Sequence, residues 1–283
     1  MLEKITHTVF GVDGEMLIRD YLKRRLHFST ALIAKVKYGG VKLSGAVVTM
    51  RAVVKDQDVI EITLPEEDSE NISPISLPLT VLYEDDWLLA VSKPKNMPVH
   101  PSRGNHLPTL ANAVRAYFGR PFVFRAVNRL DRDTSGIVLI AKNQLSGGIL
   151  AEDMKASLFE KTYTALVLGI PKNSEGEIVA PIRRESEGSI KRIVAEDGKY
   201  AKTHYRVLKT DGDRAFCEIT PQTGRTHQIR VHMAHIGHPL YADFLYGEKI
   251  EGMTYSLRCS RLCFPHPITR VKMIIEDKNE CQG

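Results

Sequence analysis

From Arg125 to Lys142 the chain reads RAVNRLDRDTSGIVLIAK. The second half, GIVLIA, is an aliphatic run of strand length, and its composition predicts a buried strand. The first half, NRLDRDTSG, is polar and predicts a loop that delivers Asp131 and Asp133 to the surface of a core element. Arg129 and Arg132 flank Asp131 in sequence, so its carboxylate can stay ionised even when partly buried. Asp, Thr, Ser and Gly are also ordinary turn formers, and a bend alone would account for Asp133 to Gly136.

Around this segment, residues from Leu79 onward mix strand-like runs with helical stretches. The strand candidates are VLYEDDWLLAVSKP, GIVLIAK, TYTALVLG, FCEITP and VKMIIED; the helical ones lie near Leu107 to Phe118 and Leu145 to Leu158. They interleave without a strict βαβ rhythm and without a glycine-rich phosphate loop. The expected fold class is therefore α+β, with a mixed, mainly antiparallel β-sheet core, rather than a doubly wound sheet. Further on, PQTGRTHQIRVHMAHIGHPL (Pro221 to Leu240) predicts a turn at Thr223-Gly224 and a helix from Gln228 to His235. Gly237 and Pro239 end that helix. Arg225 and Arg230 in this stretch can bind a phosphate or pair with a carboxylate. His227, His232, His235 and His238 invite a zinc reading. Their spacing is not HExxH, and no neighbouring Cys or acidic residue completes a usual ligand set. Cys259, Cys263 and His266 lack a second cluster. Core or substrate-facing roles are the expectation for all of them, with no metal.

Residues 1–63 read as a separate small module. Leu17, Ile18, Tyr21, Leu22 and Leu26 fall at helical spacing between Glu15 and Leu26, with Lys23, Arg24 and Arg25 on the wet side. Ser29 or Thr30 can cap a second helix through Leu32, Ile33 and Val36, stopped by Gly39 and Gly40. A hairpin-like VKLSGAVV follows, and DVIEITL closes the module as a strand. Arg24, Arg25, Lys35, Lys37 and Lys42 could form a phosphate-binding surface or simply solvate the helices. Residues 64–78 carry EEDSENISPISLP, acidic and proline-containing, which predicts a linker to a larger domain over 79–283.

The 283 residues carry 43% apolar and 26% charged side chains with a formal net charge of +5, as an ordinary globular protein does. No apolar run is long enough to span a bilayer, and the N-terminus resembles neither a secretory signal nor a transit peptide. Four cysteines are too sparse for a disulfide scaffold, which points to a reducing, cytoplasmic setting.

Several separated motifs, in order, resemble the RluA-like family of RNA pseudouridine synthases. NRLDRDTSG is similar to the segment that carries the family's catalytic aspartate. KPKNMPVHPSRG (Lys93 to Gly104), KTYTALVLG (Lys161 to Gly169), PQTGRTHQIRVHMAHIGHPL (Pro221 to Leu240) and YSLRCSRLCFPHPIT (Tyr255 to Thr269) resemble its other signatures. FSTALIAKVKYGGVKLSG, with the closing strand, resembles the small S4-type RNA-binding domain of a ribosomal protein and of many RNA-modifying enzymes. The resemblance implies that Asp131 is the catalytic carboxylate, Arg230 its ion-pair partner and Tyr163 the aromatic presented to the base. Ile229 would pack beneath the uracil, and Arg129 would help displace the base from the stack. Arg132, Arg225 and Lys161 are the further substrate contacts. The family usually has His where this chain has Asn128. The implied reaction converts uridine to pseudouridine in structured RNA without a cofactor. The partner would be ribosomal RNA or a ribosomal subunit precursor, above all of the large subunit, with no membrane and no obligate protein partner. Transfer RNA is the alternative substrate. A non-catalytic RNA-binding protein of ribosome assembly and a hydrolase built on Asp131 and His227 are the competing functions.

Overall fold

The computed structural model describes residues 3–64, 72–101, 108–119 and 121–278. The first described segment holds β1 (Glu3–Thr8), β2 (Met16–Leu17), α1 (Ile18–Arg24) and α2 (Thr30–Val36). It continues with β3 (Val41–Leu43), β4 (Ala46–Val47), β5 (Val53–Val54) and β6 (Val59–Leu64). The first helix is shorter than its apolar spacing suggests, because Met16 and Leu17 pair with Val54 and Val53 as strand. α1 buries Ile18, Tyr21 and Leu22. α2 starts where a cap was expected: the Ser29 hydroxyl accepts from the Leu32 amide at 3.1 Å, satisfying one of the orphan donors of a helix start. Ser44 and Gly45 both take positive φ, as the tight turn between β3 and β4 requires. β1, which has no strong alternation in sequence, is an edge strand held antiparallel along β6.

The remaining elements are β7 (Thr80–Glu84), β8 (Leu88–Lys93), α3 (Leu110–Phe118), β9 (Arg125–Ala126), β10 (Ser135–Ala141) and α4 (Gln144–Lys155). Then come β11 (Glu160–Leu168), β12 (Glu175–Val179), β13 (Ile182–Arg184), β14 (Arg192–Val194) and β15 (Lys202–Asp211). The chain closes with β16 (Arg214–Pro221), α5 (Gln228–His235), β17 (Leu257–Pro265) and β18 (Lys272–Glu276). Most of these strands form one sheet in the order β12-β15-β16-β11-β17-β10-β8-β7, with β18 on β17 and β9 on β10. β10 and β17 are parallel, while the other pairs are antiparallel. The mixed, mainly antiparallel α+β class expected from the sequence is the class observed. β12 to β15 were not legible beforehand, because their polar, half-exposed residues carry little periodic signal.

One apolar cluster runs along the large sheet, centred on β8 and β10. All seven residues of β10 are buried, so its continuous apolar run follows from burial on both faces. A second cluster gathers Ile18, Leu22, Leu32, Ile60 and Ile62, and also takes in Leu145 and Ile149 of α4. The Lys35 ammonium donates to the Gln144 amide oxygen at 3.1 Å beside this contact. Residues 65–71 of the expected acidic linker, residues 102–104 of the KPKNMPVHPSRG motif and Cys281 lie outside the described residues. Among the described residues, no helix is long and apolar enough to cross a membrane.

Gly136 sits where β10 meets β17. Its φ of 103° belongs to glycine, and a Cβ there would lie 2.7 Å from the Cys259 amide nitrogen and closer still to its carbonyl oxygen. Backbone fills the space on both counts, so no side-chain shift can relieve the overlap. Gly136→Ala is expected to destabilise the fold by roughly 2 kcal/mol or more, measured as a lowered urea midpoint. An unchanged midpoint would mean that the two strands can separate freely.

Candidate active site

The polar loop before β10 is fastened at three points. The Val127 amide donates to the Leu139 carbonyl at 2.7 Å. Asn128 is buried; its side-chain nitrogen donates to the Ile137 carbonyl at 2.9 Å, and its oxygen accepts from the Leu139 amide at 2.8 Å. That one amide thus pairs with β10 as a neighbouring strand would, which gives Asn128 a structural task of its own. The third fastening is Lys93, at the end of β8 and wholly buried. Its Nζ donates to the carbonyls of Pro94, Met97 and Arg132 at 2.8–2.9 Å. Burial draws its pKa down to about 7, while Asp133 and Asp131 draw it up. Three carbonyl acceptors match the three protons of an ammonium; a neutral amine would turn a lone pair toward one of them.

With the loop fixed, its carboxylates separate. Asp133 is buried and takes a two-point ion pair from Arg132 at 3.0–3.1 Å. Arg132 therefore serves Asp133 rather than Asp131, and its side chain is absent from the lining of the cleft described next. Asp131 keeps 35% of its side chain exposed and faces a cleft of about 360 Å³. The cleft is also lined by Arg129, Lys161, Tyr163, Arg225, His227, Ile229 and Arg230.

α5 supplies the opposite wall. Gln228 anchors its start: its side-chain oxygen accepts from the Thr223 hydroxyl at 2.7 Å and the Arg225 amide at 3.0 Å. Its nitrogen donates to the Lys202 carbonyl and the Thr203 hydroxyl at 2.9 Å. Two residues on, the buried Arg230 faces Asp131, its Nη1 3.8 Å from Oδ2. Its short partner is Asp243, which accepts from Nε and Nη2 at 2.7 Å each. Asp243 is fully buried and also accepts from the Leu245 amide at 3.0 Å. The guanidinium lies over Tyr255 at 4.2 Å and Tyr246 at 4.9 Å. The family resemblance implies the pairing of Arg230 with Asp131 but not that with Asp243, which is 13 residues further on in a loop and carries no motif.

Lys161 and Tyr163 share one face of β11, as their spacing of two requires. Tyr163 is buried, and desolvation, with Asp131 and Cys259 nearby, holds its phenol well above its usual pKa. Desolvation lowers the Lys161 ammonium. Ile229 is 5% exposed at the cleft wall. Arg129 and Arg225 are exposed at the rim, and Arg225 Nε donates to the Tyr200 carbonyl at 2.9 Å. The histidines go separate ways. His232 is a core residue bonded to the Thr203 hydroxyl and the Ala180 carbonyl, both at 2.9 Å. His238 bonds the Leu168 carbonyl, His235 is exposed, and only His227 enters the cleft. Among the described residues, no group of His, Cys, Asp and Glu is arranged to hold a metal ion. Away from the cleft, Arg24, Arg25, Lys35, Lys37 and Lys42 are all exposed on α1, α2, β3 and the turns between them.

The family described as RNA pseudouridylate synthase matches residues 87–235, a span that contains Asp131, Tyr163 and Arg230 but stops short of Asp243. An uncharacterised RNA pseudouridine synthase of Bacillus subtilis (strain 168), YjbO, is 37% identical over 265 residues, 91% of this chain and 93% of its own. Ribosomal large subunit pseudouridine synthase D of Pseudomonas aeruginosa is 32% identical, covering 89% of this chain and 79% of its own. Among solved structures, human RNA pseudouridylate synthase domain containing 1 superposes with a TM-score of 0.62 at 27% identity, over 73% of this chain and 86% of that one.

Removing Asp243 would leave a buried guanidinium with no short carboxylate partner. Asp243→Ala is expected to cost about 3–5 kcal/mol of stability, read from urea unfolding. A loss below about 1 kcal/mol would show that Arg230 readily finds a replacement in Asp131 or water.

Proposed function

The chain belongs to the RNA pseudouridine synthase family, and on that footing we propose an RluA-like enzyme whose catalytic carboxylate is Asp131 and whose substrate is large-subunit ribosomal RNA. The observation that carries this reading is one partly exposed carboxylate set among buried, already partnered groups, with Arg230 Nη1 3.8 Å from its Oδ2. Isomerisation breaks the bond from uracil N1 to ribose C1′ and forms one from uracil C5 to C1′. The hydrogen leaves C5 and N1 gains one, so the reaction balances without a redox partner or cofactor. A stacked uridine hides C1′, and the base must leave the helix to react. In this reading Arg129, at the rim, helps displace it, and Arg225 and Lys161 hold the RNA beside it.

Within the cleft Asp131 acts at the ribose, by attack on C1′ or by removal of the neighbouring ribose proton. Arg230 is held by Asp243 and two aromatic faces, so its charge faces Asp131 with little reorganisation when the reaction begins. Tyr163 and Ile229 form the apolar seat for the uracil. With its phenol pKa raised by burial, Tyr163 acts with its proton in place, as a stacking surface and a donor.

We assign residues 1–63 as an S4-type RNA-binding unit, 64–78 as a linker and 79–283 as the catalytic domain of a cytoplasmic enzyme. Exposed Arg24, Lys37 and Lys42 support the first assignment. The ribosomal substrate is favoured because relatives such as that of P. aeruginosa are named for the large ribosomal subunit.

Nucleoside mass spectrometry of unmodified ribosomal RNA incubated with the enzyme tests the reaction. New pseudouridine at one or a few uridines is expected, falling at least about a thousandfold in Asp131→Asn with RNA affinity retained. Comparable product from that variant would remove Asp131 from the mechanism. Arg24→Gln/Lys37→Gln/Lys42→Gln is expected to weaken RNA binding and flatten the plot of log affinity against log salt by up to about 2. An unaltered slope would deny these residues phosphate contacts.

A further inference from the structure

His227 is the cleft residue that this mechanism leaves unused. It stands just before α5 in a left-handed conformation, φ 57°. That conformation is uncommon for a residue with a side chain and persists where surrounding structure enforces it. Its ring packs edge-on against Tyr246, centroids 5.7 Å apart at 79°, and Nδ1 lies 2.7 Å from the Tyr246 hydroxyl. That hydroxyl accepts from the Arg192 amide at 2.9 Å. Among the described residues its proton has one acceptor in reach, Nδ1. Burial and the nearby Arg230 and Arg192 lower the imidazole's pKa against the pull of Asp131 and Asp243, which keeps the ring neutral near pH 7. A neutral ring whose Nδ1 accepts carries its hydrogen on Nε2. Nε2 stands 3.8 Å from Asp131 Oδ2.

A gap of 3.8 Å is too long for a hydrogen bond, and both atoms can reach one hydroxyl oxygen set to the side of the line between them, about 2.8 Å from each. Such a hydroxyl would donate to the carboxylate and accept from the imidazole. Asp131 must reach C1′ of the target ribose, and the group on the adjacent carbon is the 2′-hydroxyl, which both donates and accepts. We propose that His227 Nε2–H and Asp131 Oδ2 together grip the 2′-hydroxyl of the flipped uridine, making His227 the residue that discriminates ribose from deoxyribose at the target. Tyr246 is its positioning residue, fixing the tautomer and the tilt of the ring. This inference rests on the uridine reading of the cleft and adds to it the recognition of the sugar.

The test uses a synthetic RNA stem-loop around a uridine mapped in the ribosomal-RNA assay, made with uridine or with a single 2′-deoxyuridine at the target. Affinity for both forms is measured with full-length wild type, His227→Gln, His227→Phe and Tyr246→Phe, and pseudouridine is measured on the uridine form. Wild type is expected to prefer the ribose form by about ten- to a hundredfold, the worth of a hydrogen-bond pair to a charged group. His227→Phe should bring that ratio below about threefold by weakening the ribose form alone. His227→Gln, which keeps an N–H donor, should retain most of it, and Tyr246→Phe should fall between. If His227→Phe does not fold, the Gln and Tyr246→Phe ratios decide: an unchanged ratio in Tyr246→Phe overturns the proposal. A variant that weakens both forms equally also overturns it. Absence of product from wild type overturns the uridine reading itself; product with an undisturbed ratio overturns the role of His227 alone.

Discussion

Arg230 is a cation almost wholly buried at the wall of the cleft, and most of the cleft follows from how that charge is satisfied. Two of its nitrogens are committed to Asp243 at 2.7 Å, and aromatic faces cover the guanidinium. Breaking such a pair is far more costly than forming it is favourable, so the arrangement has little freedom to shift. What remains is Nη1, aimed at Asp131. The carboxylate thus meets a fixed positive charge without being locked to it, and keeps its oxygens available to a substrate. A direct two-point pair between Arg230 and Asp131 would have consumed that capacity.

The same economy governs the loop that carries Asp131. Lys93, Asn128 and Thr134 are buried and tie the loop to β8, β10 and Tyr255, while the buried Asp133 holds Arg132 within the loop itself. Each is a polar group in the interior with its hydrogen bonds made, the condition under which burial rigidifies rather than weakens. Within this scaffold Asp131 is the carboxylate whose short contacts are left open. Asn128 shows how one side chain can do the work of a neighbouring strand, its amide completing the ladder of β10 three residues before Asp131.

Much of this was legible in the sequence where a physical signal was strong. GIVLIA declared a buried strand because it is apolar on both faces, and Gln228 to His235 declared a helix because Gly237 and Pro239 end it. Ser29 and Thr30 both offered a cap for α2, and the structure uses Ser29. The expected α+β class followed from strands and helices that do not alternate. Asp131, Tyr163, Ile229 and Arg230 were named from motifs, and the fold brings all four to one cleft. Other features had no local signal. β1 and β12 to β15 are half-exposed and weakly periodic. Asp243 and Tyr246 act through contacts between separate segments, and Lys93 and Tyr255 open motifs that do not show how deeply either side chain is buried. Arg132 shows the reverse: adjacency to Asp131 suggested a partner, but the backbone turns it to Asp133.

Loss of the hydrogen on uracil C5 is the chemical event that a pseudouridine synthase must produce and that an RNA-binding protein or a hydrolase would not. The most direct measurement is therefore tritium release from unmodified large-subunit ribosomal RNA transcribed with uridine labelled at carbon 5. The account requires wild type to release tritium to a plateau of one or a few equivalents per RNA chain, and Asp131→Asn to release none while still binding. Binding by wild type without release, or release by the variant at the wild-type rate, would contradict it.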